Sequence, residues 1–198
     1  SGRARFGLVV AGDSGPARGQ SEGFHFAAAA SAVLLTLGAD GEGFTTFKTE
    51  TYPEFKDDFG GKVEWAEDRK RHVLVMRERA DYVKNCVDCT LDSLKRFLRD
   101  TSVTMRDLDL VIPSQTPKGF TESLKNETGL GGKIVDVTNE LGNIHTAGVG
   151  AALEKAIANG RFGTALNILF LAVGSGITAS MALYKNMDKK NQASSPSH

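Results

Sequence analysis

From residue 77 onward, short apolar runs alternate with helical segments, and the last two runs are separated only by Gly174-Ser175-Gly176. No other feature restricts the fold as much. Strands alternating with helices build a layered α/β domain with right-handed crossovers. Two strands joined by so tight a turn are antiparallel neighbours, so the sheet is expected to be mixed. The strand runs are Leu108 to Ile112, closed by Pro113; Lys133 to Val137; Ala165 to Val173; and Ile177 to Tyr184. The clearest helix covers 77–99, where Val83, Cys86, Val87, Leu91, Leu94, Phe97 and Leu98 recur at helical spacing and charged residues fill the other face. Lys118 to Thr128 reads as a short helix stopped by Gly129, and Thr146 to Asn159 as one stopped by Gly160.

The first part of the chain is less regular. Phe6 to Ala11 is an apolar run closed by the turn cluster Gly12-Asp13-Ser14-Gly15-Pro16, which reads as a buried strand. Phe26 to Leu37 begins with four alanines, which favour helix, and ends in Val33-Leu34-Leu35, which favours a strand. The second half is taken as strand and the alanines stay open. Gly38 to Gly43 is a turn, and 44–75 reads as strand fragments and long loops. The stretch 186–198, rich in Lys, Asn and Ser, is expected to be a disordered tail.

Charge excludes some partners. Lys and Arg total 24 and so do Asp and Glu, which leaves no basic field for nucleic acid or an anionic membrane. The longest apolar run, Ala165 to Val173 broken only by Asn167, is too short to span a bilayer. The first residues lack the apolar core of a secretory leader, and two cysteines in 198 residues suit a reducing compartment. A cytoplasmic protein is expected.

Three polar turns carry the candidate chemistry. Ser114 and Gln115 follow a buried strand directly, where α/β sheets collect their sites. Gly142 permits a tight backbone ahead of Asn143, Thr146 can cap the helix that follows, and Ala147, Gly148 and Gly150 let it approach something closely. A side-chain amide held at such an entrance can donate to a developing oxyanion. Gly174-Ser175-Gly176 can expose backbone N–H groups for the same purpose. On residue type alone, each is as well explained as a turn or cap. Cys86-x-x-Cys89 lies in the helical pattern at i, i+3 with no second cysteine pair to complete a zinc site, so packed thiols are the better reading. His25 and His145 stand alone, and no Ser/Cys–His–Asp spacing includes them. Gly12-x-x-Gly15 lacks the Gly-Lys-Ser/Thr of a phosphate loop. Arg69-Lys70-Arg71 follows Glu67-Asp68 and reads as a mixed, solvated stretch.

In their order and spacing, these turns resemble the C-terminal part of ketoacyl synthase III-type enzymes of the thiolase superfamily. Leu108 to Gln115 is similar to the strand that leads to that family's Pro-His-Gln-Ala-Asn motif, Leu141 to Ala147 to its Gly-Asn-Thr-Ser-Ala motif, and Val173 to Thr178 to its closing glycine loop. Ser1 to Asp13 resembles the strand after the family's nucleophile helix. Phe26 to Leu35 resembles the next strand, with alanines where the family has glycines and an acid. The resemblance implies a thiolase-like layered fold with covering helices and an incomplete N-terminal half: 1–37 would be the last two strands of that half, and 38–185 the C-terminal half. It implies an acyltransferase acting on acyl-CoA or acyl-carrier-protein thioesters, with no cofactor and no metal. Asn143 takes the family's Asn role, Gly176 falls on the oxyanion loop, and Gln115 and Gly142 border the substrate. Ser114 stands at the family's His position and cannot serve as a base near neutral pH. The nucleophilic Cys is expected outside this chain. The partners implied are the missing N-terminal half or a paralogous subunit, in a dimer. The alternative is a non-catalytic subunit that completes a heterodimer with an active paralogue.

Overall fold

The computed structural model describes residues 5–38 and 41–186. In chain order the strands are β1 (Phe6–Asp13), β2 (Ser21–Glu22), β3 (Ala29–Thr36), β4 (Gly43–Thr51), β5 (Phe59–Ala66), β6 (Arg71–Glu78), β7 (Leu110–Pro113), β8 (Asn167–Gly174) and β9 (Thr178–Lys185). The helices are α1 (Tyr82–Arg99), α2 (Phe120–Thr128), α3 (Thr138–Leu141), α4 (Gly148–Ala158) and α5 (Arg161–Thr164). A mixed sheet of order β4-β9-β8-β7 carries the fold: β7 runs parallel to β8, and β9 is antiparallel to both β8 and β4. The layered α/β fold with a mixed sheet is the one expected, and the tight turn at 174–176 joins antiparallel neighbours.

Both faces of this sheet are covered at β7 and β8, which is why these two strands read as apolar runs. Val111, Leu169, Leu171 and Val173 face α1 and α2, where they meet Cys86, Leu94, Phe97, Phe120 and Leu124. Leu110, Ile112 and Ile168 face the other way, against Ala152 and Ala156 of α4. The alternation along β7 is the two-residue period of a strand. Small residues on α4 bring it close: a Cβ on Gly148 would stand 2.9 Å from that of Gln115, and one on Gly150 would overlap the Ser31 side chain on β3. The close approach of this helix is the one its small residues suggested.

Four expectations need revision. The stretch 44–75 is not strand fragments and loops but most of three regular strands. β4 pairs along its length with β9, while β5 and β6 form a hairpin joined at 67–70, where Lys70 turns the chain with φ +48. Their faces are half-exposed and carry charges, so no clean apolar alternation marks them. The helix expected from 77 starts at Tyr82, because 77 and 78 close β6. The strand expected at 133–137 is reduced to one parallel bridge between Val111 and Ile134, with Val111 bonding Lys133 O and Val135 N–H; past it the Gln115 side chain takes Val135 O and Val137 N–H. Thr146 does not cap α4; its hydroxyl donates to Asp13 instead.

The first strand also behaves differently from expectation. β1 and β3 pair only with each other among the described residues, as an antiparallel ribbon in register Val9↔Val33. Read as buried, β1 in fact leaves Phe6, Leu8 and Val10 about two-thirds exposed, as β3 leaves Leu34. A two-stranded ribbon has two faces, and among the described residues its main contacts are with α4 and the turn at 145–147. Of the expected tail, Asn186 is held by bonds to Leu166, Phe162 and Ala165, and 187–198 lie outside the described residues.

Candidate functional site

β7 delivers Ser114 and Gln115 at the carboxyl end of the sheet. Both are buried. Ser114 N–H donates to Leu171 O at 2.7 Å, and its Oγ accepts from Val173 N–H at 3.0 Å, which ties the turn to the end of β8. The Gln115 amide is fully engaged: Nε2 donates to Pro113 O at 2.9 Å and to Val135 O at 3.1 Å, while Oε1 accepts from Val137 N–H at 2.9 Å. Gln115 therefore staples β7 to the segment that leads into α3, with both Nε2 protons already donated.

That segment turns at Gly142, which is exposed and adopts φ +69, a conformation glycine enters without strain. Its N–H closes α3 on Thr138 O at 2.9 Å. Asn143 follows, its carbonyl accepting from Ala27 N–H at 2.7 Å, so its main chain is fixed to the segment before β3. Its side chain is the anomaly of the region: Nδ2 and Oδ1 are both buried and neither has a hydrogen-bond partner among the described residues. Buried amides are almost always satisfied, so this one is placed for something these residues do not supply.

His145, two residues on, has φ +38, which is uncommon outside glycine. Its ring stacks on Phe26 at 4.2 Å and 26°. Its Nδ1–H donates to Asp13 Oδ2 at 2.9 Å, and the same oxygen accepts from the Thr146 amide at 3.0 Å and hydroxyl at 2.6 Å. Partial burial acts to raise the Asp13 carboxyl, but the bonds from Thr146 and His145 outweigh it and hold the group below its ordinary value. Asp13 is thus an anion at neutral pH.

These elements meet around one small cavity of about 40 Å³, room for a water or two. His145 and Phe26 form one side, and Thr116, Val173, Gly174 and Ser175 form another. None of the expected site residues is itself part of the lining; three of them adjoin residues that are. Ser114 is bonded to Val173, Asn143 precedes His145 by two residues, and Gly176 follows Ser175 with φ +127. The turn is secured from below by Tyr52 and Ile177, which exchange backbone bonds of 3.0 and 2.7 Å. A far larger apolar groove of about 800 Å³ lies between the β1–β3 ribbon and α4, lined by residues such as Val9, Val33, Leu35, Val149, Leu153 and Phe170.

The two thiols are not part of this site. Cys86 and Cys89 are buried in α1 under Tyr82 and its neighbours, and burial pushes them up to about 12 and about 11. Sequence reasoning missed the pairing of Asp13 with His145. Asp13 read as one member of a turn cluster, and 132 residues separate the two. No local pattern could have joined them.

Residues 98–185 match the family model described as 3-oxoacyl-[acyl-carrier-protein (ACP)] synthase III C terminal. The beta-ketoacyl-[acyl-carrier-protein] synthase III of Brucella anthropi is 26% identical over 159 residues, covering 77% of this chain and 49% of that protein. Its counterpart in Staphylococcus aureus strain Newman is 26% identical over 154 residues, covering 77% of this chain and 47% of that protein. Among solved structures, the 3-oxoacyl-[acyl-carrier-protein] synthase III of Aquifex aeolicus superimposes with a TM-score of 0.76 at 20% identity, over 93% of this chain and 59% of that one. An OleA of Xanthomonas campestris, solved with lauric acid and lauroyl-CoA bound, gives 0.74 at 18% identity, over 93% of this chain and 59% of that one. The chain spans about half the length of the curated relatives it matches.

Proposed function

We propose that this chain, similar to ketoacyl synthase III proteins in sequence and in fold, forms one wall of an acyl-transfer site acting on acyl-CoA or acyl-carrier-protein thioesters. The observation that carries the proposal is the Asn143 carboxamide, whose two polar atoms are buried and unpartnered among the described residues, at the position where the sequence resemblance puts the family's Asn. A thioester carbonyl or the oxyanion derived from it would accept from Nδ2, and a donor held ready in a water-poor site stabilises the charge as it develops. Ser114 braces the wall, and the 174–176 turn faces the reacting carbon.

The attacking sulfur is assigned to polypeptide outside these residues. Cys86 and Cys89 are unsuited to the task, since a nucleophilic thiol needs a lowered pKa and access, and theirs are raised and buried. The same polypeptide, whether of this protein or of a paralogous subunit in a dimer, would cover the exposed faces of the β1–β3 ribbon and fill the groove beside α4. A second reading, a non-catalytic subunit beside an active paralogue, is favoured by one observation. Ser114 stands where the sequence resemblance puts the family's His, and its Oγ accepts from Val173 N–H.

The test is to incubate the intact protein with lauroyl-CoA and a short-chain acyl-CoA and to look for a covalent acyl adduct by intact mass. An adduct supports the acyltransferase. No adduct with any chain length, from protein that is folded and fully assembled, would replace it with the non-catalytic reading.

A further inference from the structure

We propose that His145, held by Asp13, is the proton-transfer group of this site, in the place that Ser114 leaves empty; the inference rests on the acyl-transfer reading above. A thioester exchange needs a group that takes a proton from the attacking acceptor and returns it to the departing thiolate. Ser114 cannot do this near neutral pH, and its Oγ is engaged. Two imidazoles line the cavity, His25 and His145. Among the described residues, His25 bonds the carbonyl of Gly23, within its own loop, and has no carboxylate partner. His145 is built in from three sides. Its Nδ1–H is given to Asp13 at 2.9 Å, its ring face lies on Phe26, and its backbone is held at φ +38. A non-glycine residue kept in that conformation is one whose side-chain direction the surroundings enforce.

The partner of Nδ1 decides the tautomer. With Nδ1–H bound to an anionic carboxylate, Nε2 carries the lone pair, and among the described residues nothing bonds it. Asp13 stays charged because Thr146 and His145 together lower its pKa against the effect of burial, so it can stabilise an imidazolium. The other groups around the cavity that bear on this proton are His25 from the loop after β2, Glu78 from β6 and Tyr82 from α1. Burial raises the Tyr82 hydroxyl, which keeps it neutral. The unpartnered Asn143 amide lies two residues away, so an oxyanion donor and a base arise from one short turn.

The step balances without a redox partner. As the acceptor X–H attacks the thioester carbonyl, the X–C bond forms and the proton on X passes to Nε2. Collapse of the oxyanion breaks the C–S bond, and the thiolate takes the proton from Nε2. The acyl group has moved from sulfur to X, and His145 is again neutral.

His145→Gly suits the positive φ and leaves an imidazole-sized space. In the intact protein, with lauroyl-CoA as donor and thiol release as readout, it is expected to lower kcat by about 10²-fold or more while moving KM only a few-fold. Added imidazole should restore at least about tenfold. His145→Asn, which also tolerates this backbone and can still bond Asp13, should fold as the wild type does, lose the same activity and flatten the pH dependence of kcat between about pH 5 and 8. If wild type turns over lauroyl-CoA and both variants stay within about threefold of it, or imidazole rescues nothing, the proposal fails and the acyltransferase reading stands. If wild type shows no acyl transfer at all, both fall.

Discussion

Gln115→Leu separates two uses for a polar residue beside a site. The amide is 1% exposed, so water cannot take over its bonds. Leucine has a similar volume and leaves no hole, but it removes the partner of the Val137 N–H and one partner each of Val135 O and Pro113 O. A buried donor left unsatisfied costs about 1–3 kcal/mol, and a carbonyl with a second lone pair somewhat less. The added apolar burial offsets about 1 kcal/mol. The net expectation is a loss of about 2–4 kcal/mol, which in a domain of this size lowers Tm by about 5–15 °C. Gln115→Glu should be no better at neutral pH. A carboxylate keeps the bond from Val137 N–H but turns two acceptors toward each other at Pro113 O and Val135 O. Its burial raises its pKa, so this variant alone should gain stability on mild acidification, when the proton returns a donor. Urea unfolding followed by far-UV circular dichroism measures both. A Gln115→Leu protein within about 1 kcal/mol of wild type, with acyl transfer abolished, would refute the stapling role and return Gln115 to the substrate.

Two further outcomes follow from groups outside the site. Glu50 on β4 accepts Arg96 Nε at 3.0 Å and Nη2 at 2.8 Å, and these bonds hold its carboxyl down from 4.5 to about 2. A lowered folded pKa stabilises above the unfolded value, and the gain disappears as pH falls through the folded one. Glu50→Gln should therefore cost about 1 kcal/mol at pH 7, after allowing for solvent screening of a pair at the surface, and the gap to wild type in urea midpoint should close between pH 4.5 and about 2; a gap that does not change with pH would mean that packing, not charge, is lost. The thiols of α1, raised to about 12 and about 11, should react with a disulfide reagent at pH 8 only as the protein unfolds. Labelling of either in the native state within seconds would contradict their burial.

The legible parts of this fold were those in which one face or both are buried over a full element. α1 and the runs of β7 and β8 show their periods because core contacts repeat along them. β5 was lost because two glycines open it and its apolar Val63 and Trp65 stay exposed, β6 because charges fall on both its faces, and β4 because its partner, β9, lies more than 120 residues away. The segment 133–137 misled for a different reason: it has the composition of a strand, but a side-chain amide supplies the bonds that a neighbouring strand would. In the site, Ser114 and Gly176 were visible as turns after strands and Asn143 as the entrance to a helix, since turn chemistry is local. The Asp13–His145 pair was not, because tertiary contact alone creates it.

Asn143 presents the sharpest conflict between stability and use. Thr90 and Thr121 also have buried hydroxyls without a partner, but both lie in helices, where a rotated hydroxyl can reach the carbonyl one turn back. Asn143 lies outside any helix, so its amide is offered no such carbonyl. Two unsatisfied amide groups cost about 1–3 kcal/mol each, and nothing in the described fold offsets it. Asn143→Ala removes the orphaned groups and leaves a small void whose cost is similar. The variant should therefore match wild type in unfolding free energy to within about 1 kcal/mol. If the amide serves a developing oxyanion, acyl transfer should meanwhile fall about 10²–10³-fold, mostly in kcat. A protein that loses more than about 2 kcal/mol while transferring acyl groups at the wild-type rate would show that the amide is satisfied in solution and that its burial has no bearing on chemistry.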